Sequence, residues 1–159
     1  MIALFLMMLA LLYGWVTALY DLWYFTIPAV YYRFSVLLMG LAMGCAVFFM
    51  PWSATLSFWL DHGLGFLVLG GMGWLFFRMG AMGGSDAEAF SILGLAFGLF
   101  PGFFLLAVSH LLMIPWYGIS KRWKVPMGWQ RLNPIGLPMH IGFAIAMTGW
   151  SLVMLFFFR

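Results

Sequence analysis

The chain is short, strongly apolar and almost free of charge, with 159 residues of which 66% are hydrophobic and 7% charged, and a net charge of +3. Soluble domains use roughly 25% charged residues, so this composition excludes a soluble globular protein. Basic residues are too few and too scattered to form a nucleic-acid-binding patch. We expect an all-α integral membrane protein, a single domain over residues 1–159 that forms a bundle of about six transmembrane helices.

Apolar segments follow one another along the whole chain. In order, the predicted spans are Ile2–Tyr20, Val30–Met50, Gly63–Phe77, Ser85–Phe100, Phe103–Ile119 and Leu137–Phe158. The first is interpreted as a retained span and not a signal peptide, because no basic residues precede its apolar run. Phe100-Pro101-Gly102 is predicted to separate the fourth and fifth helices, since Pro and Gly interrupt helices.

Basic residues predict the orientation. With six spans, the loops that follow spans one, three and five share one side and contain Arg33, Arg78, Lys121, Arg122, Lys124 and Arg131. The positive-inside rule places these loops in the cytoplasm and both termini outside, in the cytoplasmic membrane. The basic run after span five is expected to contact anionic membrane lipid.

Asp21 and Asp86 lie at the ends of predicted spans on this cytoplasmic side. Ionisable side chains are costly at membrane depth, and two carboxyls that can meet are typical of aspartyl protease chemistry. A helix from Asp86 to Phe100 would be about 22 Å long, too short for a full crossing. Asp86 should therefore start below the headgroups, where the glycine-rich loop before it lines a hydrated pocket.

The helix dipole predicts different roles for the two acids. Asp86 lies in the first turn of its helix, where the dipole favours the carboxylate, and Asp21 lies in a last turn, where it does not. If the carboxyls approach, they share one proton. We expect Asp86 to be the base that activates water and Asp21 the acid that protonates the substrate carbonyl.

Three segments carry a family resemblance: Asp21-Leu22-Trp23-Tyr24-Phe25-Thr26-Ile27-Pro28, Gly83-Gly84-Ser85-Asp86-Ala87 and Asn133-Pro134-Ile135-Gly136-Leu137-Pro138. Together and in this order they resemble the type IV prepilin peptidases and archaeal preflagellin peptidases, which are membrane aspartyl proteases. The resemblance implies cleavage of the short basic leader of prepilin or preflagellin-like precursors at the cytoplasmic face. It implies a catalytic pair and nearby residues that shape the loop or bind substrate: Asp21 and Asp86, with Pro28, Gly83, Gly84, Ser85 and Glu88. No cofactor and no metal are expected.

The chain departs from the family pattern near both acids. Ser85 stands where bacterial members carry glycine, Glu88 replaces a lysine, and Trp23 replaces a common arginine. The cysteine-bearing insert of the bifunctional bacterial enzymes is also missing, so N-methylation of the product is not expected. Glu88 either binds the basic leader by charge complementarity or is a solvated first-turn residue favoured by the helix dipole.

Two other function classes use the same acids. One is a presenilin-like intramembrane protease, although that fold has more spans than this chain can form. The other is a small non-enzymatic transporter or proton pathway. His62 and His140 show no metal-ligand spacing, and His110 is expected to make a hydrogen bond that packs helices. Gly70, Gly71 and Gly73 are expected to let helices approach closely.

Overall fold

A computed structural model describes residues 2–24, 27–123 and 139–157, which form a bundle of α-helices. The helices are α1 (Ile2–Tyr24), α2 (Ala29–Phe49), α3 (Trp52–Arg78), α4 (Gly84–Phe97), α5 (Leu99–Trp123) and α6 (Met139–Phe157). Three segments are long and apolar enough to cross a membrane, Leu4–Asp21, Trp52–Arg78 and His140–Phe157, while α2 and α5 contain shorter apolar stretches. The expected helical membrane bundle is confirmed.

The central helix of the bundle is α4. It contacts each of the five other helices, and every residue from Ala87 to Gly98 except Glu88 is buried. Such an all-round apolar sequence is typical of a helix surrounded by other helices. With 14 residues, α4 is about 21 Å long. It therefore ends inside the bundle, and its two ends determine where polar groups are needed.

Glycines let α3 and α4 pack with their backbones in contact. A Cβ atom on Gly94 of α4 would collide with the carbonyl group of Gly65 on α3, and one on Gly73 would lie 2.7 Å from the carbonyl oxygen of Ala87. Small residues at such crossings are characteristic of membrane helix pairs, because packing replaces the hydrophobic effect as the driving force.

The sequence predicted part of this glycine face. Gly70 lies against the side chain of Ser91 and Gly73 lies against α4, as expected. Gly71 is exposed, and a Cβ atom there would meet nothing within 4 Å. The expectation for Gly71 is therefore wrong, because successive helical positions point about 100° apart and cannot share one contact face.

The break between α4 and α5 lies at Gly98, not at Phe100-Pro101-Gly102 as predicted. α4 ends at Phe97 and α5 begins at Leu99, and Gly98 has φ 85°, a backbone conformation that favours glycine. Pro101 lies in the first turn of α5, where a helix needs no backbone N–H and tolerates proline.

After Gly98 the chain turns back along α4, and two polar side chains of α3 satisfy the backbone of this buried turn. The N–H of Leu99 donates to Oδ1 of Asp61 at 3.0 Å. Nδ1 of His62 donates to the carbonyl oxygen of Leu95 at 2.7 Å. Non-helical backbone survives at membrane depth only when protein groups take over such hydrogen bonds.

The same two residues explain why α3 is longer than predicted. The sequence suggested a third span from Gly63, because Asp61 and His62 interrupt the apolar pattern. Both side chains are bonded inside the bundle, so the helix runs through them from Trp52. Helices α1 and α5 also extend beyond the predicted spans, to Tyr24 and to Leu99–Trp123.

Candidate active site

Asp86 is held at the start of the central helix. α4 begins at Gly84, and the backbone N–H of Gly83 donates to Oδ2 of Asp86 at 3.3 Å. This bond satisfies one of the free N–H groups at the helix start. The Asp86 side chain is 18% exposed. The first-turn position expected from the sequence is confirmed, and the carboxyl is sheltered without being sealed from the surface.

Asp21 reaches the same place from the last turn of α1. It is half-buried, its carboxyl lies within reach of the backbone N–H of His140, and it is close enough to Asp86 for the two charges to interact. The acceptor is well placed, since a free N–H near the start of α6 attracts negative charge. The structure thus brings together two acids that are distant in the sequence.

His140 contacts both acids. Its ring is 1% exposed, and Nε2 lies 3.5 Å from Oδ1 of Asp86. Nδ1 lies 3.1 Å from the hydroxyl oxygen of Thr17, and the backbone N–H reaches Asp21. Sequence reasoning tested this histidine only for metal-ligand spacing and missed it. Its position near the start of the last apolar span, on the side of both acids, was the signal available.

Tyr13, Thr17 and Asp21 form the polar face of α1. Their spacing of four residues places them one above another on the helix. The Thr17 hydroxyl donates to the carbonyl oxygen of Tyr13 at 2.8 Å. The Tyr13 hydroxyl is buried and lies within electrostatic reach of Asp86 and Glu88. α1 therefore contributes a line of polar groups to the site in addition to the predicted acid.

Unsatisfied polar atoms concentrate around Asp86. Among the residues that the structure describes, the buried side-chain atoms without a hydrogen-bond partner are the Tyr13 hydroxyl, Nε2 of His140 and the Ser151 hydroxyl. Nε2 of His140 lies 3.5 Å from Oδ1 of Asp86, and the Tyr13 hydroxyl lies within electrostatic reach of Asp86. Because an unmet buried polar atom costs free energy, native proteins keep few, and those they keep call for an explanation. Here they offer hydrogen-bonding capacity beside a pair of acids.

Glu88 lies on α4, two residues after Asp86. It is half-buried and within electrostatic reach of Arg33, which is exposed on α2. Its charge also reaches the Tyr13 hydroxyl. The side chain thus has protein neighbours and partial exposure, so both alternatives for its role stay predictions.

The other predicted loop residues begin helices. Pro28 is exposed directly before α2, and its carbonyl oxygen accepts the N–H of Tyr31 at 3.1 Å, which closes the turn after α1. Gly84 and Ser85 are the first residues of α4. The third resembling segment, Asn133–Pro138, lies outside the described residues.

The remaining histidine expectations have different outcomes. Nδ1 of His110 donates to the carbonyl oxygen of Leu106 at 2.8 Å, so its hydrogen bond lies within its own helix and not between helices. The ring still packs edge-on against Phe90 and Phe143 of neighbouring helices. Over residues 2–24, 27–123 and 139–157, no group of three or more His, Cys, Asp and Glu side chains is placed to hold a metal ion.

Comparison of the chain with models of known protein families, with curated proteins and with solved structures found no match. The family resemblance therefore depends on the three sequence segments alone. Two of them contain the acids that the fold brings together at the start of α4. What the site can do is best judged from its own geometry.

Proposed function

We propose that this protein is a membrane aspartyl endopeptidase that cleaves the short basic leader of prepilin or preflagellin-like precursors at the cytoplasmic face of the membrane. The observation that carries this proposal is the meeting of Asp21 and Asp86 at one partly accessible place in an otherwise apolar bundle. Ionisable residues inside membrane proteins are functional by default. Paired carboxyls are the chemical requirement of aspartyl proteolysis.

The pair supplies one base and one acid. Each carboxyl lies within reach of the other's charge, so ionising both is unfavourable and the pair favours holding one proton. In the proposed reaction Asp86 takes a proton from the attacking water while Asp21 gives its proton to the carbonyl oxygen. When the tetrahedral intermediate collapses, the leaving amine receives a proton from Asp86 and the C–N bond breaks. In the same step one hydroxyl of the intermediate gives its proton to Asp21 and becomes the carbonyl of the product, so Asp21 is protonated and Asp86 ionised again.

The position of the site suits a substrate with an apolar helix and a polar leader. The acids lie where α1 ends and α4 begins, at one end of the bundle. A substrate helix packed laterally against the bundle would deliver the peptide bond before its first turn to this place. Glu88, two residues after Asp86 on the same helix, favours a basic leader by charge complementarity.

Cleavage of a purified prepilin or preflagellin precursor tests the proposal. We expect wild-type protein in detergent to release the leader, and Asp21→Asn and Asp86→Asn to lose at least about 10³-fold in rate, as for removal of a catalytic acid or base. Mass spectrometry of both products locates the bond that is cleaved. Asp61→Asn is the matched control, because it neutralises an acid outside the site and retains an acceptor for the N–H of Leu99.

Two outcomes would redirect the assignment. Cleavage within the apolar segment and not at its leader junction would favour the presenilin-like alternative. Wild-type protein inert on several leaders would favour a proton pathway, for which Thr17, His140 and Asp86 form a continuous polar line. Proton flux into liposomes, measured with a pH-sensitive dye and lost in Asp86→Asn, would identify that second function.

A further inference from the structure

The ring of His140 has a defined orientation, which the Thr17 hydroxyl sets. The single hydroxyl proton of Thr17 is used by the carbonyl oxygen of Tyr13 at 2.8 Å. The Thr17 oxygen therefore meets Nδ1 of His140, 3.1 Å away, as an acceptor. With the hydroxyl proton directed at carbonyl oxygens of its own helix, Nδ1 is assigned as the donor to the Thr17 oxygen.

The second ring nitrogen consequently faces Asp86 with a proton between them. Nε2 lies 3.5 Å from Oδ1 of Asp86 and has no hydrogen-bond partner among the described residues. A bare nitrogen lone pair opposite a carboxylate would be repulsive in this buried place. One proton therefore belongs to the His140–Asp86 pair, separate from the proton that Asp21 holds, and it lies on Nε2 when Asp86 acts as the base. A separation of this size is typical of catalytic hydrogen bonds that shorten when substrate binds.

His140 also holds the other acid. Its backbone N–H lies within reach of the carboxyl of Asp21, so the ring and the backbone of one residue face both acids. The ring is nearly fully buried and packs against Phe143, with ring centroids 5.8 Å apart. A residue fixed in this way couples the position of α1 to that of α4.

We propose that His140 is a positioning residue of the aspartyl pair, which sets the spacing of Asp21 and Asp86 and is itself oriented by Thr17. This inference rests on the proposed peptidase function for its effect on rate. The contact itself is independent of that function. The acids, which lie on different helices, need such a link because catalysis depends on the mutual geometry of the reacting groups.

A matched pair of amide substitutions separates positioning from packing. In His140→Asn the side-chain amide nitrogen takes the place of Nδ1 and keeps the Thr17 bond, while nothing reaches Asp86. In His140→Gln the amide nitrogen takes the place of Nε2 and can donate to Asp86. We expect kcat for precursor cleavage to fall about 10²-fold in His140→Asn, the cost of misplacing reacting groups by about 1 Å, and to be partly rescued in His140→Gln. KM should be unchanged in both.

A purely structural role predicts the opposite order, because only His140→Asn retains the Thr17 bond. Higher activity in His140→Asn than in His140→Gln, equal losses in both, or no loss in either would overturn the proposal. A loss confined to KM would also overturn it, since that would show substrate binding and not positioning of the acids.

Ring nitrogen signals give a test that does not depend on catalysis. In protein labelled with ¹⁵N-histidine, assigned with His140→Gln, we expect the Nε2 signal of His140 to move in Asp86→Asn and to stay in place in Asp61→Asn. If the ¹⁵N chemical shift of Nε2 is the same in Asp86→Asn as in the wild type, the contact between His140 and Asp86 is refuted. Wild-type protein inert on every precursor, combined with a responsive Nε2 signal, would refute the peptidase and leave the Asp86–His140 pair standing.

Discussion

In the described part of the bundle, two acid–histidine pairs, each with a buried histidine, behave in opposite ways. Asp61 and His62 bond to backbone groups of the α4–α5 turn, at 3.0 Å and 2.7 Å. Asp86 and His140 face each other instead, with Nε2 left without a hydrogen-bond partner among the described residues. The first pair completes the fold, whereas the second adds polar capacity that the fold does not use.

The difference shows how to distinguish structural from functional polar groups in a membrane bundle. At membrane depth a backbone N–H or C=O outside a helix needs a hydrogen-bond partner from the protein. A polar side chain that provides this bond therefore has a structural role. A polar atom that is buried without a partner is destabilising, and it persists where something other than stability favours it. By this reasoning Asp61 has a structural role, whereas the unpartnered Nε2 of His140 beside Asp86 makes the second pair the candidate for function.

The largest expected effect is on catalysis at the second pair. Asp86→Asn should lower the cleavage rate at least about 10³-fold while the free energy of unfolding stays equal or rises, because the amide removes an ionisable group from a sheltered place and keeps an acceptor oxygen for the N–H of Gly83. Activity and equilibrium unfolding are measured on the same detergent-solubilised protein. If Asp86→Asn instead unfolds the bundle, the contrast between the two pairs is lost.

The next largest effect is on the packing that positions α4. Gly94→Ala should lower the free energy of unfolding by about 3 kcal/mol, since its Cβ would collide with the backbone of Gly65 and neither helix can yield easily. Gly63→Ala is the control, because a Cβ there meets nothing within 4 Å. Equal stability of the two variants in thermal unfolding would contradict the close α3–α4 contact.

A smaller effect is expected at the α4–α5 turn. Asp61→Ala leaves the N–H of Leu99 without its acceptor and should cost about 2 kcal/mol of unfolding free energy, within the range for an unsatisfied buried donor. Asp61→Asn keeps an acceptor oxygen and should cost less. Chemical unfolding of both variants checks the order, and a larger loss in the asparagine variant would show that the charge matters more than the hydrogen bond.

The smallest effect has the opposite sign. Tyr13→Phe removes a buried hydroxyl that has no hydrogen-bond partner in the described part of the chain, and should raise the free energy of unfolding by about 1 kcal/mol. Thr55→Val is the contrasting control, because the Thr55 hydroxyl donates to the carbonyl oxygens of Met50 and Pro51. That substitution should be destabilising. A loss of stability in Tyr13→Phe would show that its hydroxyl is satisfied after all.

Sequence reasoning recovered most of the helices and located both acids of the site. Apolar runs predict spans because the bilayer core sets their length, and the glycines before Asp86 marked the start of α4. The ends of helices were less predictable. The third span was placed at Gly63 in place of Trp52 because Asp61 and His62 look foreign to a membrane helix until their partners on α4 and α5 are known.

The residues that complete the site escaped the sequence pattern for a related reason. His140 and Thr17 are 123 positions apart, and neither belongs to a motif. Their connection depends on α1 and α6 packing side by side, which pattern alone does not specify. The resemblance to prepilin peptidases identified the two acids as candidates, but it gave no indication of Thr17 or His140.

The sequence by itself determined that this protein lies in lipid. It also identified the acids as the residues whose placement at membrane depth costs the most free energy. A chain so apolar must form helices that satisfy their own backbone in lipid, and its few acids must then have a reason to be there. Only the tertiary structure decided which acids meet. The physical reason is that the packing of the helices decides which polar groups find hydrogen-bond partners. At the turn at Gly98, Asp61 accepts a backbone N–H, while the start of α4 leaves Asp86 near Asp21 and His140.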